Sequence, residues 1–260
     1  MRKGKKILII VLIIILVILS LVVVGLFLFN EQQVEIQRQE EEAILNAEEN
    51  FKKLFQNLEY SKNENEAITL SYEMEKNEEG KYEVNVKVPL VNIETDTAKA
   101  INDEINNIFG KKLLEVVKEN TAFAKYNVDY IAYTNNNIIS LIIKATLKEG
   151  IEPQRIMAYT YNYELKENKL LTLEEYIESQ DLDKSVIQNQ IINYIREKSI
   201  NSSGLVEQGY NIYVRDIRSE EYLIENITTF YIGVDGKIYI IFPYGNINAT
   251  ETIDVVIVNN

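Results

Sequence analysis

The first chemistry to consider in this sequence is that of paired carboxylates: Glu174/Glu175, Asp181/Asp183 and Glu220/Glu221. Glycoside cleavage needs two carboxyls about 5–9.5 Å apart across a sugar. Neighbours on a helix point roughly 100° apart and do not face each other, so these pairs read as solvated faces or helix caps. Asp181-Leu182-Asp183 has calcium-like spacing, but the rest of an EF-hand loop is missing. The chain has no Cys and no His. That removes disulfides, thiol nucleophiles, thiolate or imidazole metal sites, and every triad with a His base. There is no Gly-rich phosphate loop and no Ser nucleophile elbow. No catalytic residue, cofactor or metal is expected.

Binding chemistry has two candidate sources. Tyr159, Tyr161 and Tyr163 alternate along one run and could stack on glycan, although a tyrosine row is more simply a half-buried strand face. There is no Trp, the strongest side chain for sugar stacking. Loops are the second source, because a rigid scaffold can vary contacts there at little structural cost. Two stand out, Glu149 to Arg155 and Tyr244 to Thr250. Glu149, Glu152 and Tyr244 are the expected ligand contacts, the acids facing a basic surface and the tyrosine serving as a rigid anchor.

The charge supports a basic partner. Residues Ile7 to Phe29 form one apolar run broken only by Ser20 and Gly25. Four of the chain's 27 bases precede it and all 40 acids follow it, so residues 30–260 hold 23 bases against 40 acids, a net charge of −17. A surface of that sign excludes general nucleic-acid binding and steers cationic partners. As a helix the run is roughly 34 Å long, enough to cross a bilayer, and lipid forces its backbone to be helical. Its length, and the lack of a small-x-small site beyond it, favour an uncleaved anchor over a signal peptide. The bases on its N-terminal side place residues 1–6 in the cytoplasm. The expected organisation is a cytoplasmic tail (1–6), a transmembrane helix (7–29), a helical stalk (30–66) and an extracytoplasmic domain (67–260). The expected location is the cell membrane, single-pass. The stalk could serve as a dimer seam, but with fewer than three clean heptads it reads more simply as a spacer or a docked helix. The Asn-, Lys- and Ile-rich composition suggests an AT-rich bacterial genome, so the Asn-x-Ser/Thr tripeptides at Asn201, Asn226 and Asn248 read as chance.

The elements that must position the loops follow from periodicity. Ile68, Leu70, Tyr72 and Met74, then Tyr82, Val84, Val86 and Val88, alternate around a Gly-containing loop and predict a hairpin. Pro89 closes its second strand. Thr95 to Glu119 predicts an amphipathic helix capped by Thr95 or Asp96. Ala122–Thr134, Ile138–Lys148 and Arg155–Lys166 predict three strands of an antiparallel meander. Thr172 to Glu175 has capping-box spacing. A helix is expected from about Asp183 to Ser199, broken at Asn201-Ser202-Ser203-Gly204. Gln208 to Asn226 is the least readable stretch. Asp235-Gly236 suits a type I′ hairpin turn between Thr229–Val234 and Lys237–Phe242, and Thr252–Val258 is a last strand. The expected class is α+β, an antiparallel sheet with helices packed on it.

Two stretches carry a family likeness. One runs from Ile138 to Ile177, with Ile-Ile-Ser-Leu, a Tyr-x-Tyr-x-Tyr-x-Leu strand and Leu-Thr-Leu-Glu-Glu-Tyr-Ile. The other is Phe230 to Tyr244, FYIGVDGKIYIIFPY. Together they resemble the extracytoplasmic region shared by RsiV-type anti-sigma factors and PdaC-type peptidoglycan deacetylases, over roughly Ile68 to Val258. The resemblance implies a sensor-like ectodomain and makes lysozyme, or another basic cell-wall protein, one specific partner candidate. Only six residues precede the apolar run, so a sigma-binding segment is not expected, and without His the deacetylase chemistry is not expected either. The family's Gly-Gly-Ala-His turn is replaced here by Glu149-Gly150-Ile151-Glu152-Pro153, and the loop after the second stretch by Gly245-Asn246-Ile247-Asn248-Ala249. The expected function is ligand binding by a membrane-anchored, non-enzymatic ectodomain. The alternatives are a cell-envelope enzyme working through carboxylates or a structural spacer.

Overall fold

A computed structural model describes residues 25–31, 66–119 and 122–258. The chain divides into two units, Met1–Asn50 and Phe51–Asn260. Of the first, residues 25–31 are helical. The expected cytoplasmic tail, most of the expected transmembrane helix and nearly all of the stalk lie outside the described residues. Among the described residues no helix is long and apolar enough to cross a membrane.

In the second unit the alternating runs form the predicted hairpin, β1 (Ile68–Glu78) and β2 (Tyr82–Val91). Gly80 takes the left-handed conformation its turn requires, φ +73°. Pro89 faces Leu70, where the register slips before Tyr72. The slip is a bulge set beside a residue with no N–H to give the ladder. Thr95 then caps α1 (Asp96–Ile105) by accepting the Ala98 N–H. One π turn, Asn106–Gly110, leads into α2 (Lys111–Lys118).

The chain next enters β3 (Ala124–Asn135), which lies beside β2 and parallel to it, Tyr82 opposite Ala124 and Val86 opposite Val128. The expected antiparallel sheet is therefore mixed. The helical segment is the reason. A crossover of that length carries the chain back to the end where β2 began, which a short turn cannot do. The antiparallel meander then holds for β3, β4 (Ile138–Glu149) and β5 (Arg155–Glu164), with β6 (Lys169–Leu170) as a short sixth strand. Ile101, Ile105, Phe109, Leu113 and Val116 pack against Val84, Val86, Tyr126, Val128, Leu141 and Ile143 on one face of this sheet.

Thr172 caps α3 (Leu173–Ser179) with a complete capping box through Glu175. Asp183 caps α4, which runs through Lys184–Glu207 rather than stopping near Ser199. The local break signal is overridden because Ser202 is buried and its hydroxyl accepts from Arg215 Nη1; the same hydroxyl donates to the Lys198 carbonyl. A second sheet follows, β7 (Phe230–Ile232), β8 (Ile238–Pro243) and β9 (Ile253–Val258), in that order. The β7–β8 turn is not type I′. Gly233 N–H bonds to Lys237 O and Gly236 N–H to Gly233 O, a three-residue loop whose last position is left-handed, Gly236 at φ +78°.

The two sheets share a small core. Ile131, Ile142, Ile156 and Ala158 from the large sheet pack on Tyr231, Ile241, Ile253 and Val255 from the small one. The remaining face of the small sheet is covered by α3, α4 and the segment around Tyr222 to Ile227.

Candidate functional site

The site is built on the outer edge of β5. From Tyr163 on that edge pairs with β6, but from Arg155 to Tyr161 it has no strand partner among the described residues and is covered by the first residue of β7 and the β8–β9 connection. Ile156 N–H donates to Thr250 O, 3.2 Å. The Asn246 side chain accepts from Ala158 N–H and donates to Ala158 O, at 3.1 and 3.0 Å, as a strand residue would. Phe230 N–H donates to Thr160 Oγ1, and Asn162 Nδ2 donates to Phe230 O. Gly245 is packed so closely here that a Cβ would lie 2.2 Å from Ile156 O. The Tyr244–Thr250 loop thus docks on the start of β5, next to where the Glu149–Arg155 loop ends, and the edge is shielded from stray strand pairing.

The three expected contact residues have different fates. Glu152 is exposed at the β4–β5 tip beside Ile151, which is 98 % exposed. Glu149 is half-buried, and its carboxylate is held by Lys112 at 2.9 Å and Arg155 at 3.4 Å, so its charge is already matched inside the molecule. Tyr244 is corrected outright. It is 2 % exposed and cannot present its ring to a partner, because its hydroxyl belongs to the interior.

That interior is a polar network the sequence reading missed. Arg215 donates from Nε to Asp254 Oδ2 at 2.9 Å and from Nη2 to Oδ1 at 2.7 Å. Lys198 Nζ lies 3.9 Å from the same carboxylate. Tyr244 donates to Asp254 Oδ2 at 2.9 Å, and Tyr222 meets the Tyr244 hydroxyl at 3.0 Å. Arg215 Nη1 reaches Ser202 Oγ and Tyr213 O. Burial works against the charge on Arg215, yet the bonds and charge of Asp254 hold it protonated. Burial, then the Asp254 charge, pushes the Tyr244 hydroxyl up. One signal was available. Asp254 is the single acid in the apolar run Ile253 to Val258, and a buried acid demands a partner.

On the outer side of Tyr244 a groove of about 190 Å³ opens between the 220–229 segment and the start of the β8–β9 connection. Ile227, Ile241, Phe242, Pro243 and Ile247 give it apolar walls, and Glu221, Asn226 and Thr228 give it a polar lip. Ile247 is 77 % exposed.

Of the paired carboxylates, Glu174, Glu175 and Asp183 are engaged locally. Glu174 pairs with Lys184 at 2.5 Å and Glu175 closes the α3 capping box. Asp183 caps α4, while Asp181 sits in a turn at φ +53°. Among the described residues no group of three or more acidic side chains could hold a metal ion. The tyrosine row packs under the helices. Tyr163 and Tyr161 are buried, and Tyr159 meets Phe109 edge-on at 5.4 Å.

No family model and no curated protein matches the chain. Solved structures similar to it include two DUF3298 family proteins. One, from Pseudomonas aeruginosa PAO1, is 8 % identical, covers 73 % of this chain and 86 % of its own, and has a TM-score of 0.41. The other, from Bacteroides fragilis NCTC 9343, is 11 % identical, covers 74 % and 91 %, and has a TM-score of 0.37.

Proposed function

We propose that this chain is a membrane-anchored, non-enzymatic ectodomain that binds a basic protein at the cell surface, with lysozyme or another cationic cell-wall protein as the candidate partner. The observation that carries the reading is the docking of the Tyr244–Thr250 loop on the start of β5, where the Glu149–Arg155 loop ends, beside a groove with an acidic lip. The −17 charge after the apolar run supplies long-range attraction, and the apolar tips Ile151 and Ile247 supply the short-range contact that charge alone lacks. Glu152 remains a contact residue. Glu149 serves as a strut for the loop, and Tyr244 supports the surface from behind.

The test is retention of lysozyme by the full chain in detergent micelles, at low salt and at about 0.15 M, where exposed charges are screened beyond roughly 8 Å. Binding that persists in salt, and weakens at least tenfold when both loops are replaced by Gly-Ser, supports the reading. Binding lost at about 0.15 M salt means diffuse attraction and removes it.

A further inference from the structure

We infer that the groove between Glu221 and Ile247 is a receptor for one lysine side chain, taken stem-inward along its apolar walls with the ammonium at its polar lip. This rests on the basic-partner reading and names the group that is recognised. The groove has the two parts such a side chain needs. Ile227, Ile241, Phe242 and Pro243 line an apolar slot that suits a four-carbon stem, which buries readily while its head stays in polar surroundings.

Three oxygen-bearing side chains stand at the lip. Glu221 has no cation within ion-pair distance among the described residues, in contrast to Glu149, Glu174 and Glu78, which all have one. Asn226 spends its Nδ2 on the Glu220 carbonyl, which leaves its amide oxygen as an acceptor. Thr228 adds a hydroxyl at an exposed position. An ammonium carries three donors, one for each. The Glu221 charge also bears on the hydroxyls of Tyr213 and Tyr222, helping to raise both after burial, and the side chain is itself half-buried.

The slot also has a firm floor. Tyr222 meets Phe242 edge-on at 5.1 Å and is bonded to Tyr244. Tyr244 is pinned in turn by Asp254, and Asn246 is locked to β5. A slot held this way loses little freedom on filling, which is the condition for useful affinity from a small contact.

The experiment is methyl NMR of the full chain in detergent micelles, labelled at isoleucine δ-methyls and titrated with N-acetyl-lysine amide. N-acetyl-norleucine amide, the same stem without the ammonium, is the control. The lysine probe is expected to shift Ile227, Ile241 and Ile247 and to leave Ile101, Ile105 and Ile143 in the distant core unmoved, while the norleucine probe shifts none at the same concentration. Glu221→Gln is expected to weaken the response about tenfold, the scale of one hydrogen bond to a charged group. Thr228→Phe, which plugs the slot and keeps the carboxylate, is expected to abolish it. Shifts spread over isoleucines elsewhere, an unchanged response in Glu221→Gln, or a wild-type response in Thr228→Phe would each overturn the assignment. If Glu221→Gln loses the native spectrum, Thr228→Phe decides alone. Lysozyme retention without a lysine response removes the groove and leaves the partner reading. A lysine response without lysozyme retention does the reverse.

Discussion

Arg215 and Asp254, 39 residues apart, form a two-pronged ion pair that is almost wholly buried, with donor–acceptor distances of 2.9 and 2.7 Å. The pair closes the stretch after α4 onto the last strand, and its carboxylate also fixes Tyr244 behind the groove. Removing one partner of a buried pair leaves the other charge uncompensated and costs about 3–5 kcal/mol. Arg215→Met is therefore expected to lower stability on that scale, measured by thermal unfolding followed by circular dichroism. The double variant Arg215→Met/Asp254→Leu would leave the buried Lys198 without the carboxylate it faces at 3.9 Å, so the triple variant with Lys198→Met is the one expected to recover a large part of the loss. A triple variant no better than the single one would mean the pair matters for more than charge matching.

Tyr161 and Tyr163 sit two residues apart on one strand face and should respond oppositely to loss of the hydroxyl. Tyr161 Oη is buried with no hydrogen-bond partner, so Tyr161→Phe is expected to be neutral or stabilising by about 1 kcal/mol. Tyr163 Oη bonds to Thr95 Oγ1 at 2.9 Å and Asn168 Oδ1 at 3.1 Å. Tyr163→Phe strands both partners and is expected to cost about 1 kcal/mol or more. Equal effects in the two melting curves would contradict the placement of these hydroxyls.

The buried tyrosines set an alkaline limit. Burial raises the hydroxyls of Tyr126, Tyr222, Tyr231 and Tyr244 above their ordinary value, and Tyr239 is pushed up to about 12. Below about pH 10 both folded and unfolded chains keep these protons, and the groups have no net effect. Above it the unfolded chain ionises first, so stability falls as pH rises toward the folded-state values. The tyrosinate absorbance should appear together with loss of secondary structure, as one cooperative step. A gradual rise with the fold intact would show that these rings are more accessible than the structure places them.

What was legible in the sequence was local. Thr95, Thr172 with Glu175, and Asp183 announce their helices because a cap and its N–H lie within three residues. The β1–β2 hairpin is readable for the same reason, its two alternating runs being joined by a short turn. The parallel β2–β3 pairing is not, since nothing in either strand encodes which neighbour it takes once a helical crossover intervenes. Asn201 to Gly204 misleads because the signals that break a solvated helix are outweighed when Ser202 is buried against Arg215. At the candidate site the small and polar residues of the loops are legible, but the docking of one of them on β5 is not, and Tyr244 reads as a surface anchor. Its burial depends on Asp254, Tyr222 and Tyr213, and no spacing along the chain ties those three together.

The docking of the Tyr244–Thr250 loop on β5 can be loosened at one atom. A Cβ on Gly245 would fall 2.2 Å from Ile156 O and 2.8 Å from Thr250 O, and backbone on both sides cannot move aside as a flexible side chain can. Gly245→Ala is expected to cost about 1–3 kcal/mol, the usual range for overpacking. The damage should be local, because Gly245 touches the β5 edge and not the helical core. Hydrogen exchange should then speed up at Ile156 and Ala158, whose N–H groups bond to Thr250 and Asn246, while Val86, Leu141 and Ile143 in the large sheet stay protected. Gly204→Ala is the matched control, a helical position where an added Cβ meets nothing within 4 Å. It should leave both sets of amides unchanged. Uniform loss of protection in Gly245→Ala would mean that the seam on β5 is part of the global folding unit, and that the loops cannot vary independently of it.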